Sequence, residues 1–203
     1  MLHFLHRCSA ALLASYVLVH LLNHLLALTG IEAHLAFMDG YRAIYRFQAI
    51  EPLLLGLVGF QAGSGLYFIY KRRGQRRGFF ERAQALSGAY LAFFLLVHVT
   101  AVLYGRLGLG LDTNFYYAAA GLNIQPYTAF FLPYYFLAVL ALFTHIGCAL
   151  HWLLRKRLSL VSRHALGYGA LALGVLVATV ILSTFMGAFY PVDIPEEFRE
   201  TFQ

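Results

Sequence analysis

Charge is what this chain has least of. Only 12% of its 203 residues are Asp, Glu, Lys or Arg, too few to coat a water-soluble globule of that length. Cysteine is nearly absent as well. Cys8 and Cys148 both fall within or beside apolar runs, so no disulfide is expected and both read as small buried thiols. There is no Gly-rich dinucleotide loop and no cysteine cluster, which excludes a chain carrying its own flavin chemistry. Basic residues outnumber acids to give a net charge of +6, yet the positives sit in short clusters between apolar runs. That is the pattern of membrane loops and not of a nucleic-acid groove. A cleavable signal peptide is not expected either, because the first apolar run continues to spanning length without a small-residue cleavage site.

What the chain has in abundance is apolar sequence: 61% hydrophobic residues, with a mean hydropathy of +0.68. Charge-poor stretches of about 20 residues, enough to cross a ~30 Å hydrocarbon core at ~1.5 Å per residue, recur along it. They place five spans at residues 8–28, 52–70, 83–104, 128–154 and 165–189. The breaks fall at Thr29-Gly30, at Gly74 and Gly78 in a basic cluster, from Gly105 to Gly110, at Arg155-Lys156-Arg157, and at Pro191. Such runs are far too long for barrel strands, and only helices or closed barrels satisfy a backbone in lipid. The expected architecture is all-α and polytopic, one transmembrane domain over residues 1–203.

The charges fix an expected orientation. Arg7, Lys71, Arg72, Arg73, Arg76, Arg77, Arg82, Arg155, Lys156, Arg157 and Arg163 share one side with a single acid, Glu81. The other side carries Glu32, Asp39, Glu51, Asp112, Asp193, Glu196, Glu197 and Glu200 against Arg42, Arg46, Arg106 and Arg199. Positive-inside bias puts the N-terminus in the cytoplasm and the acidic C-terminal tail outside. On the outer side, residues 31–50 and 112–125 are rich in aromatics. Each reads either as a short interfacial amphipathic helix or as a loop with an aromatic belt.

The first and third spans repeat each other. Residues 9–20, from Ser9 to His20, align without gaps on residues 87–98, from Ser87 to His98, with seven of twelve positions identical. Both segments run inside to outside, so both histidines reach one depth, about 16 Å along the axis from the serine. Two imidazoles at one depth on parallel helices suit a six-coordinate haem iron, one nitrogen above the plane and one below. A fainter match joins spans two and four, where Gln61-Ala62-Gly63-Ser64-Gly65-Leu66 aligns with His145-Ile146-Gly147-Cys148-Ala149-Leu150. Gln61 and His145 therefore share a depth, but glutamine is a poor haem ligand.

The remaining histidines sort by position. His3, His6 and His164 lie at the inner edge and read as interfacial, as does His151 near the inner boundary. His34 falls on the outer loop and carries no chemical assignment. His24 stands one turn beyond His20 on the same face; it could replace His20 as ligand, or donate to a haem propionate or a quinone carbonyl. Histidines at membrane depth mark a functional site by default, and their alternative role is structural, as hydrogen-bonding glue between helices.

These residues bring out a resemblance. Across roughly residues 5–190 the chain resembles the five-helix cytochrome b membrane anchor of succinate dehydrogenases and fumarate reductases. The likeness lies in His6-Arg7, in His20 late in the first span, and in Phe37-Met38-Asp39. It continues in Ser87-Gly88 with His98, and in Thr144-His145. The resemblance implies a haem-binding four-helix bundle plus a fifth helix, in a bacterial-type inner membrane. It implies an outer haem b on His20 and His98, and an inner haem with His145 as one ligand and its other ligand at the position of Gln61. It further implies iron–sulfur and flavoprotein partners on the cytoplasmic face, and exchange with quinone. Such a chain is a subunit of an oxidoreductase and not catalytic alone. The departure at Gln61 leaves three possibilities: a single-haem anchor, a relative serving another redox partner, or an inner haem bound unconventionally. A haem-free membrane scaffold is the expectation from a different class, and a small transporter is weaker because no acid lies within a span.

Overall fold

A computed structural model describes residues 1–202, and among these residues the regular structure is entirely helical. Helix α1 (Leu2–Leu26) runs on into a 3-10 turn at Ala27–Thr29, followed by α2 (Ile31–Tyr45), α3 (Ile50–Lys71) and α4 (Phe79–Leu107). Then come α5 (Phe115–Asn123), α6 (Thr128–Leu153), α7 (Leu160–Phe185) and a terminal single turn, α8 (Glu196–Arg199), closed by a 3-10 turn at Glu200–Phe202. Five helices, α1, α3, α4, α6 and α7, are long and apolar enough to cross a membrane. The chain is an all-α polytopic membrane protein.

The five expected spans correspond one to one to these helices, but their ends differ. Helix α1 starts at Leu2, α4 at Phe79 and α7 at Leu160, each several residues before its apolar run. A helix need not stop where hydrocarbon stops, and local caps decide instead. The Ser159 side chain accepts from Ser162 N at 3.1 Å to start α7. The Glu81 carboxylate takes the Arg77 and Gly78 amides at 2.6 and 3.2 Å at the head of α4. Both aromatic-rich segments hold helices. Between α1 and α2 the chain turns at Gly30, whose φ of 134° is open only to glycine. The turn folds α2 back over α1, where Tyr41 donates to the Tyr16 carbonyl at 3.3 Å.

Large apolar side chains such as Leu12, Leu18, Phe93, Leu96 and Leu176 point out of the bundle, the arrangement lipid requires. Burying leucine against leucine gains little in that solvent, so close approach at small residues supplies the cohesion. Helices α6 and α7 form the tightest pair. A Cβ added at Gly147 would stand 2.7 Å from the Ala170 Cβ, and one at Gly174 would stand 2.7 Å from the Phe143 Cβ. Helix α4 packs on α6, and α3 bridges α4 and α1. The backbone of α1 runs close to α3 but makes at most isolated approaches to α4 and α6.

The end of the bundle carrying the acidic residues is capped by α2, α5 and the C-terminal segment. Phe115, Leu122, Ile181, Phe185, Ile194 and Phe198 form its buried core. Arg42 pairs with Asp112 at 2.8 Å and Arg106 with Glu51 at 2.7 Å. Cys148 is buried as expected, whereas Cys8 is exposed, because its position on α1 faces out of the bundle; both thiols are free.

The packing predicts opposite effects at two glycines of α7. Gly174→Ala forces a methyl group into Phe143 and is expected to cost about 1–3 kcal/mol. Gly169→Ala meets nothing within 4 Å and is expected to be neutral or to stabilise by up to ~1 kcal/mol through helix propensity. Thermal unfolding in detergent compares them; equal effects would mean that α6 and α7 are not closed at Gly174.

Candidate functional site: a histidine-lined seam

Where α1 stands off from α4, polar side chains fill the interval. His20 of α1 and His98 of α4 face each other with ring centroids 6.3 Å apart and planes 62° apart. Each ring stacks on the aromatic residue one turn earlier on its own helix: His20 on Tyr16 at 6.2 Å, and His98 on Phe94 at 5.0 Å. Tyr16 and Phe94 occupy the same place in the internal repeat, so the two halves brace their imidazoles alike. Metal–imidazole bonds of about 2 Å, with ring nitrogens about 1 Å from the ring centre, separate two axial rings by about 6 Å. The His20–His98 separation fits that requirement.

Two further imidazoles continue from the seam into the acidic-end cap. His24 Nε2 lies 3.1 Å from His20 Nε2, and His24 Nδ1 lies 3.2 Å from His34 Nε2. Asn23 Nδ2 also contacts His34 Nε2, at 3.2 Å. His34 Nδ1 and Asn23 Oδ1 are buried without a partner. His34 belongs to α2 and is only 1% exposed. Burial, helped by the charges of His20 and Arg42, pushes its imidazole down to about 4, so it is neutral at pH 7 and serves as a hydrogen-bonding group.

His145 stands apart, in the half of the bundle nearer the basic end. Its Nδ1 lies 3.2 Å from the Gln84 carbonyl and 3.2 Å from Ser87 Oγ. A carbonyl only accepts, so Nδ1 carries the hydrogen and Nε2 keeps its lone pair, the tautomer that second-shell partners impose on a metal-binding imidazole. Gly88 leaves room for the ring: a Cβ there would come within 3.0 Å of His145 Cε1.

Gln61, the glutamine where the resemblance asks for a ligand, is engaged on both sides. Ser9 Oγ donates to Gln61 Oε1 at 2.6 Å, and Gln61 Nε2 donates to His6 Nε2 at 3.3 Å. His6 Nδ1 donates to Ser64 Oγ at 2.7 Å, since Ser64 spends its own hydrogen on the Phe60 carbonyl at 2.6 Å. His6 is therefore no edge residue but part of the α1–α3 contact. The repeat explains its place. Ser9 touches Gln61 as Ser87 touches His145; three residues earlier stand His6 in one half and Gln84 in the other. Each half holds one imidazole, His6 on the earlier helix in one and His145 on the later helix in the other, while Gln84, at the position of His6, takes part through its backbone carbonyl.

Of the residues singled out in the sequence, the structure brings His20, His24 and His98 together and sets His145 apart from them. Sequence reasoning missed His6, which extending the repeat by one turn would have found. It also missed His34, for which no local signal exists because α2 reaches the seam only by folding back at Gly30. His151, read as interfacial, is buried at 3% exposure against Phe80 and lines a separate cleft at the basic end. Among the described residues no group of three or more His, Cys, Asp or Glu is placed to hold a bare metal ion; a haem iron asks the protein for only two. No family model, curated protein or solved structure matches the chain.

His34 sets a pH dependence. With a folded value near 4 against 6.5 for the free side chain, its contribution to stability is present above pH 6.5 and is lost as pH falls from 6.5 towards 4. The unfolding temperature in detergent is expected to drop between pH 7.5 and pH 5, and His34→Gln is expected to shrink that drop. An unchanged drop in the variant would assign the acid sensitivity elsewhere.

Proposed function

We propose that this chain is a haem b membrane subunit that carries electrons between a redox partner and the quinone pool, akin to the membrane anchors of succinate dehydrogenase and fumarate reductase. The observation that carries this is the facing pair His20 and His98, 6.3 Å apart where α1 and α4 do not close. Their imidazoles would hold the iron, and Tyr16 and Phe94 would fix the ring planes. When bound, haem supplies a reversible one-electron couple whose potential follows from axial ligands, burial and nearby hydrogen bonds. His24, now paired with His20, becomes free to donate to a carboxylate or a quinone carbonyl once the His20 nitrogen is taken. Arg42, whose Nη1 is paired with Asp112, and Arg46 each keep a buried Nε without a partner, which could donate to acidic side groups of the cofactor at that end.

In the other half, His145 is the candidate ligand for a second haem, and His6 is the imidazole available in place of Gln61. The basic end would face the cytoplasm and dock iron–sulfur and flavoprotein subunits, in a bacterial-type inner membrane with the C-terminus outside. The chain itself would supply no catalysis alone. A haem-free scaffold is the second reading. It is favoured by one observation: the Nε2 atoms of His20 and His6 each already have a protein hydrogen-bond partner.

Reduced-minus-oxidised spectra with a haem-to-protein ratio decide between them. A b-type band is expected that His98→Ala removes, wholly or in its outer component, and that His34→Gln leaves in place. A ratio near two, with one haem lost in both His6→Ala and His145→Ala but retained in Gln61→Ala, would assign the inner ligands. Absence of any b-type band in haem-supplied protein would leave the scaffold.

A further inference from the structure

At the basic end, away from the seam, the heads of α4 and α7 and the tail of α6 enclose a cleft of about 390 Å³. Its chemistry is cationic and donor-rich. Arg77 and Arg163 line it together with His151 and His164, and Glu81 is its one acid. One oxygen of that acid is spent on the Arg77 and Gly78 amides. Two long helices begin here, so their positive dipole ends and the first-turn N–H groups left uncapped add to the field.

Two buried nitrogens at this cleft have no partner. His151, 3% exposed, is held by stacking on Phe80 at 4.1 Å and on His164 at 5.3 Å, yet its Nδ1 is unpaired. Arg163 gives Nη1 to the His151 carbonyl at 3.3 Å and keeps a buried, unpaired Nε. Leaving such groups dry and unmatched is costly, and a guanidinium Nε–H is a donor that carries charge.

We infer that this cleft binds the phosphate of an anionic membrane phospholipid, with Arg163 and Arg77 as its charged donors and His151 as a buried hydrogen-bonding partner. The surroundings select a lipid over a soluble phosphate. Phe79 at 52% exposure, Leu160 at 55% and Tyr168 at 50% line the cleft beside the charged groups with apolar surface that acyl chains would cover. Basic groups at the end of membrane-spanning helices meet lipid headgroups in this way, and here the donors are gathered in one cleft.

The test uses Trp152, the chain's single tryptophan, which lines the cleft. The full-length protein is reconstituted in phosphatidylcholine vesicles containing either brominated phosphatidylglycerol or brominated phosphatidylcholine at equal mole fraction. Brominated phosphatidylglycerol is expected to quench Trp152 with several-fold higher apparent affinity. Arg163→Gln should abolish that preference and Arg77→Gln should weaken it. Arg157→Gln, which removes the same charge outside the cleft, should retain it. Helix content by circular dichroism verifies that each variant is folded. Equal quenching by the two lipids overturns the inference. So does a preference surviving both Arg163→Gln and Arg77→Gln, or one lowered equally by Arg157→Gln. Inorganic phosphate, added to vesicles without brominated lipid, separates the sources. A saturable millimolar response of Trp152 without any phosphatidylglycerol preference would make the occupant soluble phosphate and overturn the lipid assignment.

Discussion

Hydrocarbon removes the usual reason for helices to associate, because a leucine facing lipid is as well placed as a leucine facing another helix. Two substitutes remain: backbone proximity at small residues, and hydrogen bonds between polar side chains that lipid cannot satisfy. This molecule divides them between its halves. Helices α6 and α7 meet through Gly147 and Gly174, with neighbours so close that a methyl group has no room, and Gly167 of α7 is packed as closely against Phe80 of α4. Helix α1 meets α3 through Ser9, His6, Gln61 and Ser64. The close-packed half tolerates no added volume at its contact glycines. The hydrogen-bonded half depends on particular side chains, and it is the half that carries His20.

Much of this was legible beforehand. Spans in lipid must be long, apolar and helical, so composition and run length define them, and the five runs match five helices. The gapless repeat sets His20 and His98 at one depth, because rise per residue is fixed in a helix, and in the structure their rings lie 6.3 Å apart. Azimuth was harder: the repeat says that two residues are level, and only packing says that they face each other. Helices α1, α4 and α7 begin before their apolar runs because apolar content reports the membrane, whereas helix ends follow local structure such as the caps at Ser159 and Glu81. His34 and His151 lay beyond reach for a similar reason, since each owes its burial to a segment distant in sequence.

The repeat also gives Gln61 a different meaning. Taken alone it is a ligand position occupied by a residue that does not ligate. Set beside its counterpart, it is one half of an exchange: His6 with Gln61 in the first half, Gln84 with His145 in the second. The hydrogen-bond frame of the two halves, serine to the third helical partner, is kept while the imidazole sits on the earlier helix in one and the later helix in the other. The two halves thus share a sequence repeat and a serine contact, and differ in where they place their imidazoles.

Stability in a protein is not uniform, and opening begins where the fewest contacts must be broken. In this chain the α4–α6–α7 unit is closed by backbone contact, while α1 is tied by a few side-chain hydrogen bonds to α3 and by the cap at the acidic end. The cheapest fluctuation of the fold is therefore a parting of α1 from α4 and α6, along the line from His6 to His24. Every histidine of the seam lies on that line. A group held between these imidazoles would enter and leave by the same motion that frays the protein, so its retention and the protein's resistance to unfolding would be a single property, and a tighter guest would also be a stronger clasp.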